Sequence, residues 1–226
     1  MYIFAVENNQ FKFKKNQKMK QLVSILVLFI SGVMFGQTAD AAFKKGQTKY
    51  DAKDYKGAIA DFTKAVTLNP KNATAFYYRG SCKQNLQEYK AAVEDYTKAI
   101  KLKPAYSIAY TNRARSKYIS LEYAGTPADY KAIIADYSKA IELNPRDTVA
   151  YLNRGITKEY LKDYAGGIDD FRKLCELVPN NGEAYYYKAV CEDKAGNKEA
   201  ACVDWDKALE LGETRAQPLK AKNCNQ

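Results

Sequence analysis

The side chains able to do chemistry in this chain are few in kind. Among 226 residues there is no histidine, and the cysteines are Cys82, Cys175, Cys191, Cys202 and Cys224. Without imidazole the chain lacks the commonest neutral-pH acid/base, the base of the usual serine and cysteine triads and the commonest metal ligand. Thiols can form disulfides or hold a soft metal, but zinc sites draw on closely paired ligands and no Cys-x-x-Cys occurs. The sequence also holds no phosphate-binding P-loop, dinucleotide fingerprint or nucleophile elbow. No acidic pair stands apart as glycosidase carboxylates would. No catalytic residue, metal or cofactor is therefore expected.

The acids and bases instead follow a period. Pro70, Pro104, Pro145 and Pro179 lie 34, 41 and 34 residues apart, behind the similar runs YKGAIADFTKAVTLNP, YKAAVEDYTKAIKLKP, YKAIIADYSKAIELNP and YAGGIDDFRKLCELVP. A fifth copy, KEAACVDWDKALELG, ends at Gly212 without its proline. Apolar residues in each recur at three- and four-residue spacing, which gives a helix one apolar face. A second helical stretch precedes each run: AAFKKGQTK, AFYYRGSCK, AYTNRARSK, AYLNRGITK and AYYYKAVCE. Each unit is thus a hairpin of helix A and helix B. A hairpin cannot bury its apolar face alone, so the units must stack.

These residues resemble the tetratricopeptide repeat, over residues 39 to 212, with units 39–72, 73–106, 107–147, 148–181 and 182–212. Position 8 of each unit is small (Gly46, Gly80, Ala114, Gly155, Ala189) and position 24 aromatic (Phe62, Tyr96, Tyr137, Phe171, Trp205). Asp54, Glu88, Asp129, Asp163 and Asn197 precede helix B, and all but the glutamate are good N-cap residues. The resemblance implies an all-α fold, a right-handed α-solenoid of about five repeats, with residues 213–226 as a capping tail. It also implies a concave surface, lined mainly by helix A, that receives an extended peptide or a partner's helix. The positions carried over are Tyr77, Asn112, Arg115, Tyr118, Leu152, Asn153 and Ile156; Tyr186 joins them as a tyrosine that the repeat does not place in its core. Asn112 and Asn153 stand at the same position of adjacent units, and a carboxamide offers both donor and acceptor to a peptide bond.

The chain departs from the family pattern at two usually less polar positions. Position 7 is Lys45, Arg79, Arg113, Arg154 and Lys188; position 11 is Lys49, Lys83, Lys117, Lys158 and Glu192. Opposite them, position 23 is Asp61, Asp95, Asp136, Asp170 and Asp204. Pairing of position 7 with position 23 is predicted; the alternative is that both face water. The third unit is seven residues longer than its neighbours, and Gly125, Thr126 and Pro127 give the excess loop chemistry. Four cysteines fall at buried positions of the repeat. The default is that they serve as buried hydrophobes; the alternative is one disulfide among Cys191, Cys202 and Cys224, since the first two lie on facing helices and the third in the tail.

Ahead of the repeats, Leu22 to Phe35 is an uncharged apolar run of 14 residues preceded by five lysines. That layout predicts a signal peptide cleaved near Gly36, with residues 1–18 upstream of the true start at Met19. The run is short for a permanent span, and a membrane anchor through residues 22–35 is the alternative. An exported protein, periplasmic or secreted, is expected. Four of the ten excess positive charges lie ahead of Thr38, and no Arg/Lys stripe marks a nucleic-acid footprint. The reading is a non-catalytic scaffold with a protein or peptide partner and no nucleic acid. Alternatives are a self-associating envelope component or an accessory subunit of an envelope enzyme.

Overall fold

The computed structural model describes residues 38–121 and 124–224. The expected signal segment, the middle of the third-unit insertion and the last two residues lie outside the described residues. Every regular element described is α-helical. In chain order these are α1 (38–51), α2 (Tyr55–Leu68), α3 (Ala73–Asn85), α4 (Tyr89–Leu102), α5 (Ser107–Ser120) and α6 (Pro127–Leu143). They continue as α7 (Thr148–Tyr160), α8 (Tyr164–Leu177), α9 (Gly182–Lys194), α10 (Lys198–Glu210) and α11 (Ala216–Asn223). The fold is an all-α stack of hairpins, with α1, α3, α5, α7 and α9 as A helices. Among the described residues no helix is long and apolar enough to cross a membrane.

The chain divides into two compact units, residues 1–75 and 76–226. In the described part of the first, α1 and α2 close over the ring of Phe62, which is fully buried. A Cβ on Gly46 would stand 2.7 Å from that ring, so the helices approach through the absence of a side chain. The second unit repeats this contact: Gly80 faces Tyr96 and Gly155 faces Phe171, where a Cβ would stand 3.1 and 2.7 Å from the ring. Ala114 and Ala189 take the same place beside Tyr137 and Trp205. Within this second unit α5 touches α7 and α7 touches α9, whereas among the described residues α4, α6, α8 and α10 show no comparable contact with one another. The A helices therefore line the tighter side of the stack.

The charged positions are part of the packing. Arg79 forks onto Asp95, Arg113 onto Asp136 and Arg154 onto Asp170, each with Nη2 2.6 Å and Nε 2.9 Å from the carboxylate. Lys83, Lys117 and Lys158 close the same carboxylates at 2.8, 2.9 and 2.9 Å. Lys49 reaches Asp61 at 2.6 Å, with Lys45 at 3.9 Å. The predicted pairing is thus present, and within units. The three arginines also lie over the rings of Phe76, Tyr110 and Tyr151. Arg113 and Arg154 further donate to Thr97 and Ser138 of the preceding unit. A buried carboxylate with two cations and a satisfied fork costs far less to desolvate than a bare one. The polar residues that depart from the family pattern thus tie helices within and between repeats.

Local signals set the ends. Asp54, Asp163, Asp147 and Asn181 accept a backbone N–H at the start of α2, α8, α7 and α9. Asn197 stands at the N-cap of α10 without a side-chain bond. The turn inside the hairpins puts Lys53, Gln87 and Lys162 at positive φ, a conformation that Gly196 takes without strain in the last unit. One expected boundary is corrected. Thr126, not Asp129, caps α6, because Pro127 fixes the first helical φ and Thr126 and Asp129 close a reciprocal capping box. Part of the insertion is therefore helix rather than loop.

The tail returns as α11, packed on α10. Cys202 and Cys224 form the disulfide, leaving Cys191 buried and free. Ala216 and Leu219 cover Trp205 and Ala208. Arg215 is paired with Glu183 and Glu213 and lies 4.7 Å from the Tyr186 ring centroid.

Candidate functional site

Two of the thiols outside the disulfide, Cys175 and Cys191, are poor nucleophiles where they stand. Burial pushes Cys175 up to about 11 and Cys191 up to about 12, so neither supplies thiolate near neutral pH. Among the described residues no group of three or more Cys, Asp or Glu is placed to hold a metal. What the structure offers is a surface on the A helices.

The residues carried over to that surface are distributed unevenly. Asn112 donates to the hydroxyl of Tyr77 at 3.2 Å, joining two adjacent units. The Tyr77 ring packs against Tyr78, Tyr96 and Tyr106, and burial holds its phenol above the ordinary value. Leu152 and Ile156 pack beside the buried Ile168 and Phe171. Asn153 donates back to the Val149 carbonyl of its own helix at 2.8 Å. Its carboxamide therefore has an internal bond that a ligand would have to displace or share.

Two tyrosines stand differently from the expectation. Tyr118 packs its ring against Tyr130, 6.0 Å between centroids, as part of the third unit's core cluster. That neighbour is the first residue of the expected helix B run, so Tyr118 is not a free groove side chain. Tyr186 is overlain by Arg215 and belongs to the cluster beneath α11. Arg115 is exposed, at the edge of a depression of about 340 Å³ between the start of α5 and the turn leading into α7.

That depression also holds residues outside the set carried over from the repeat pattern. Ile108 and Val149, each on the first turn of an A helix, are 49% and 46% exposed, and both line it with Arg146. They occupy position 2 of adjacent units, so two β-branched side chains at one phase were a signal available in the sequence. Arg146 was not, because it belongs to the turn after α6. The depression's acid is already engaged: Asp147 accepts from the Ala150 N–H at 3.0 Å and from the Thr111 hydroxyl at 2.7 Å.

Three stretches match family models: residues 73–106 and 152–218 match models described as tetratricopeptide repeat, and residues 46–86 one described as TPR repeat. No curated protein matches the chain. Among solved structures, a crystal structure of MamA protein is similar at 22% identity and a TM-score of 0.71, over 80% of this chain and 96% of that one. MamA 41-end from Desulfovibrio magneticus RS-1 is similar at 18% identity and a TM-score of 0.70, covering 80% and 98%. YrrB, described as a TPR protein with an unusual peptide-binding site, is similar at 23% identity and a TM-score of 0.70, covering 80% and 90%. These likenesses concern the fold.

Proposed function

This chain is a tetratricopeptide-repeat protein, and from that premise we propose that it is a non-catalytic scaffold holding a segment of another protein across the A-helix surface of α5 and α7. The observation that carries the reading is the exposure of Ile108 and Val149 at equivalent places in adjacent units, on either side of one depression. Two large β-branched side chains left in water at the repeat period give a partner two regularly spaced apolar footholds. The solenoid neighbour described as having a peptide-binding site supports use of such a fold for a peptide. The tail supports a single copy over end-to-end stacking, since α11 covers the apolar side of the last hairpin.

We place this scaffold outside the cytoplasm, in the periplasm or beyond it. The uncharged apolar segment ahead of the repeats, with the five lysines that precede it, supports that placement. So does the Cys202–Cys224 disulfide, because such bonds persist in oxidising compartments.

The test is photo-crosslinking in the native cell, with a crosslinking amino acid placed singly at Ile108, Val149 or Val203. Val203 is 68% exposed on the B helix α10 and serves as the control. The reading predicts one shared adduct from positions 108 and 149 that position 203 does not give. An adduct from 203 alone, or none from either A-helix position, would overturn it.

A further inference from the structure

The chain contains seven arginines, all among the described residues. Five are spoken for: Arg79, Arg113 and Arg154 fork onto the buried aspartates, Arg172 meets Asp169 and Arg215 meets Glu183 and Glu213. The remaining two, Arg115 and Arg146, make no ion pair among the described residues. Both are exposed, and both line the same depression as Ile108 and Val149. They come from different repeats, one from the third turn of α5 and the other from the turn ahead of α7, so stacking of the units brings them to one place.

The charge balance there is one-sided. Asp147 is the depression's carboxylate, and both of its oxygens are already used, by the Ala150 N–H and the Thr111 hydroxyl. A guanidinium presents a planar fork of donors that matches a carboxylate, and the match gains when apolar neighbours shield it from water. The two aliphatic side chains at the depression are such neighbours.

Resting on the scaffold reading above, we propose that the segment held on α5 and α7 is acidic: an Asp or Glu side chain engaging Arg115 and Arg146, beside an aliphatic residue seated on Ile108 and Val149. Phosphate groups of a nucleic acid would also suit the arginines, but they leave Ile108 and Val149 without use, whereas an acidic-aliphatic peptide uses all four. Binding weakens with salt, since the arginines are solvent-exposed before the partner arrives.

The experiment selects a displayed library of random twelve-residue peptides on the full chain and on an Arg115→Ala/Arg146→Ala variant whose helical circular dichroism matches the wild type. The expected result is enrichment of Asp or Glu next to Leu, Ile or Val, with the best selected peptide losing at least tenfold in affinity on the variant. A second variant, Arg115→Glu/Arg146→Glu, should exchange that peptide for its lysine-substituted counterpart. Absence of enrichment, enrichment without acids, equal binding by the variants, or displacement of the peptide by a single-stranded oligonucleotide would each overturn the proposal. Crosslinks from positions 108 and 149 to a partner segment without acids would leave the scaffold reading standing and remove this one alone.

Discussion

In four units position 11 is a lysine paired with the aspartate at position 23, whereas in the last it is Glu192, so Glu192→Lys should make this unit like the first, where Lys45 and Lys49 share Asp61. In the present chain Lys188 alone serves two carboxylates, with Nζ 2.7 Å from Asp204 and 3.7 Å from Glu192. Glu192 is 6% exposed, and its Oε2 is buried without a hydrogen-bond partner among the described residues. Burial first, then the hydrogen bond and charge of Asp204, push Glu192 up to about 7. The other titratable groups near it are the ammonium of Lys188 and the thiols of Cys175 and Cys191, both held neutral by burial.

The sign of the effect follows from that direction. A carboxyl with a raised folded pKa holds its proton better when folded, so its stabilising contribution is complete below about 4.5 and is lost as pH rises through about 7. At 1.36 kcal/mol per pH unit, the wild type should lose about 3 kcal/mol of stability in this hairpin between pH 4.5 and pH 8. Glu192→Lys should abolish that slope and be the more stable protein at pH 8. The assay is urea unfolding at pH 5 and pH 8, followed by the fluorescence of Trp205, the chain's single tryptophan, buried in α10 of the same unit. Asp129 and Glu213 are held below their ordinary values, so they stay ionised over this range and do not confound it. A wild type equally stable at both pH values, or a variant weaker at pH 8, would refute the reasoning.

Other consequences follow from single features. Asp136→Ala leaves Arg113 and Lys117 without their carboxylate and should cost about 3 kcal/mol, and a double-mutant cycle with Arg113→Ala should show coupling well above that of a surface pair. Lys162→Gly relieves an exposed residue at φ 63° and should stabilise the chain by about 1 kcal/mol, read as a raised thermal midpoint. Cys224→Ser opens a disulfide whose cysteines are 22 residues apart and should remove about 3 kcal/mol from the docking of α11, seen as faster amide exchange in Ala216–Asn223.

The repeat was legible because its contacts are periodic and local. The small residue at Gly155 and the ring of Phe171 are 16 residues apart, and their meeting follows from the phase of two helices joined by a short turn. Arg154 and Asp170 obey the same offset, which is why the pairing could be predicted from sequence. Contacts made by the irregular third unit were not legible. Thr126 and Asp129 are both good cap residues, and the fold shows Pro127 deciding between them; the contact of Tyr118 with Tyr130 spans the insertion, where the repeat phase is interrupted.

The candidate site was legible in part for a related reason. Position numbers placed Asn112 and Tyr77 on the A helices, but not that the two bond to each other across units. Nor could they show that Asn153 turns back to its own backbone. Arg146 enters from a turn, outside the helical phase on which the sequence reading relied. A solenoid builds its surface from neighbouring repeats, so residues far apart in sequence share a depression that no single repeat predicts.

Whether a partner lies on the A helices is read by amide hydrogen exchange of the full chain with and without the partner recovered through position 108. Slowed exchange confined to the first turns of α5 and α7 and the turn at Arg146 is expected. Slowing confined to the B helices α4, α6 and α8, with those A-helix turns unchanged, would contradict that placement.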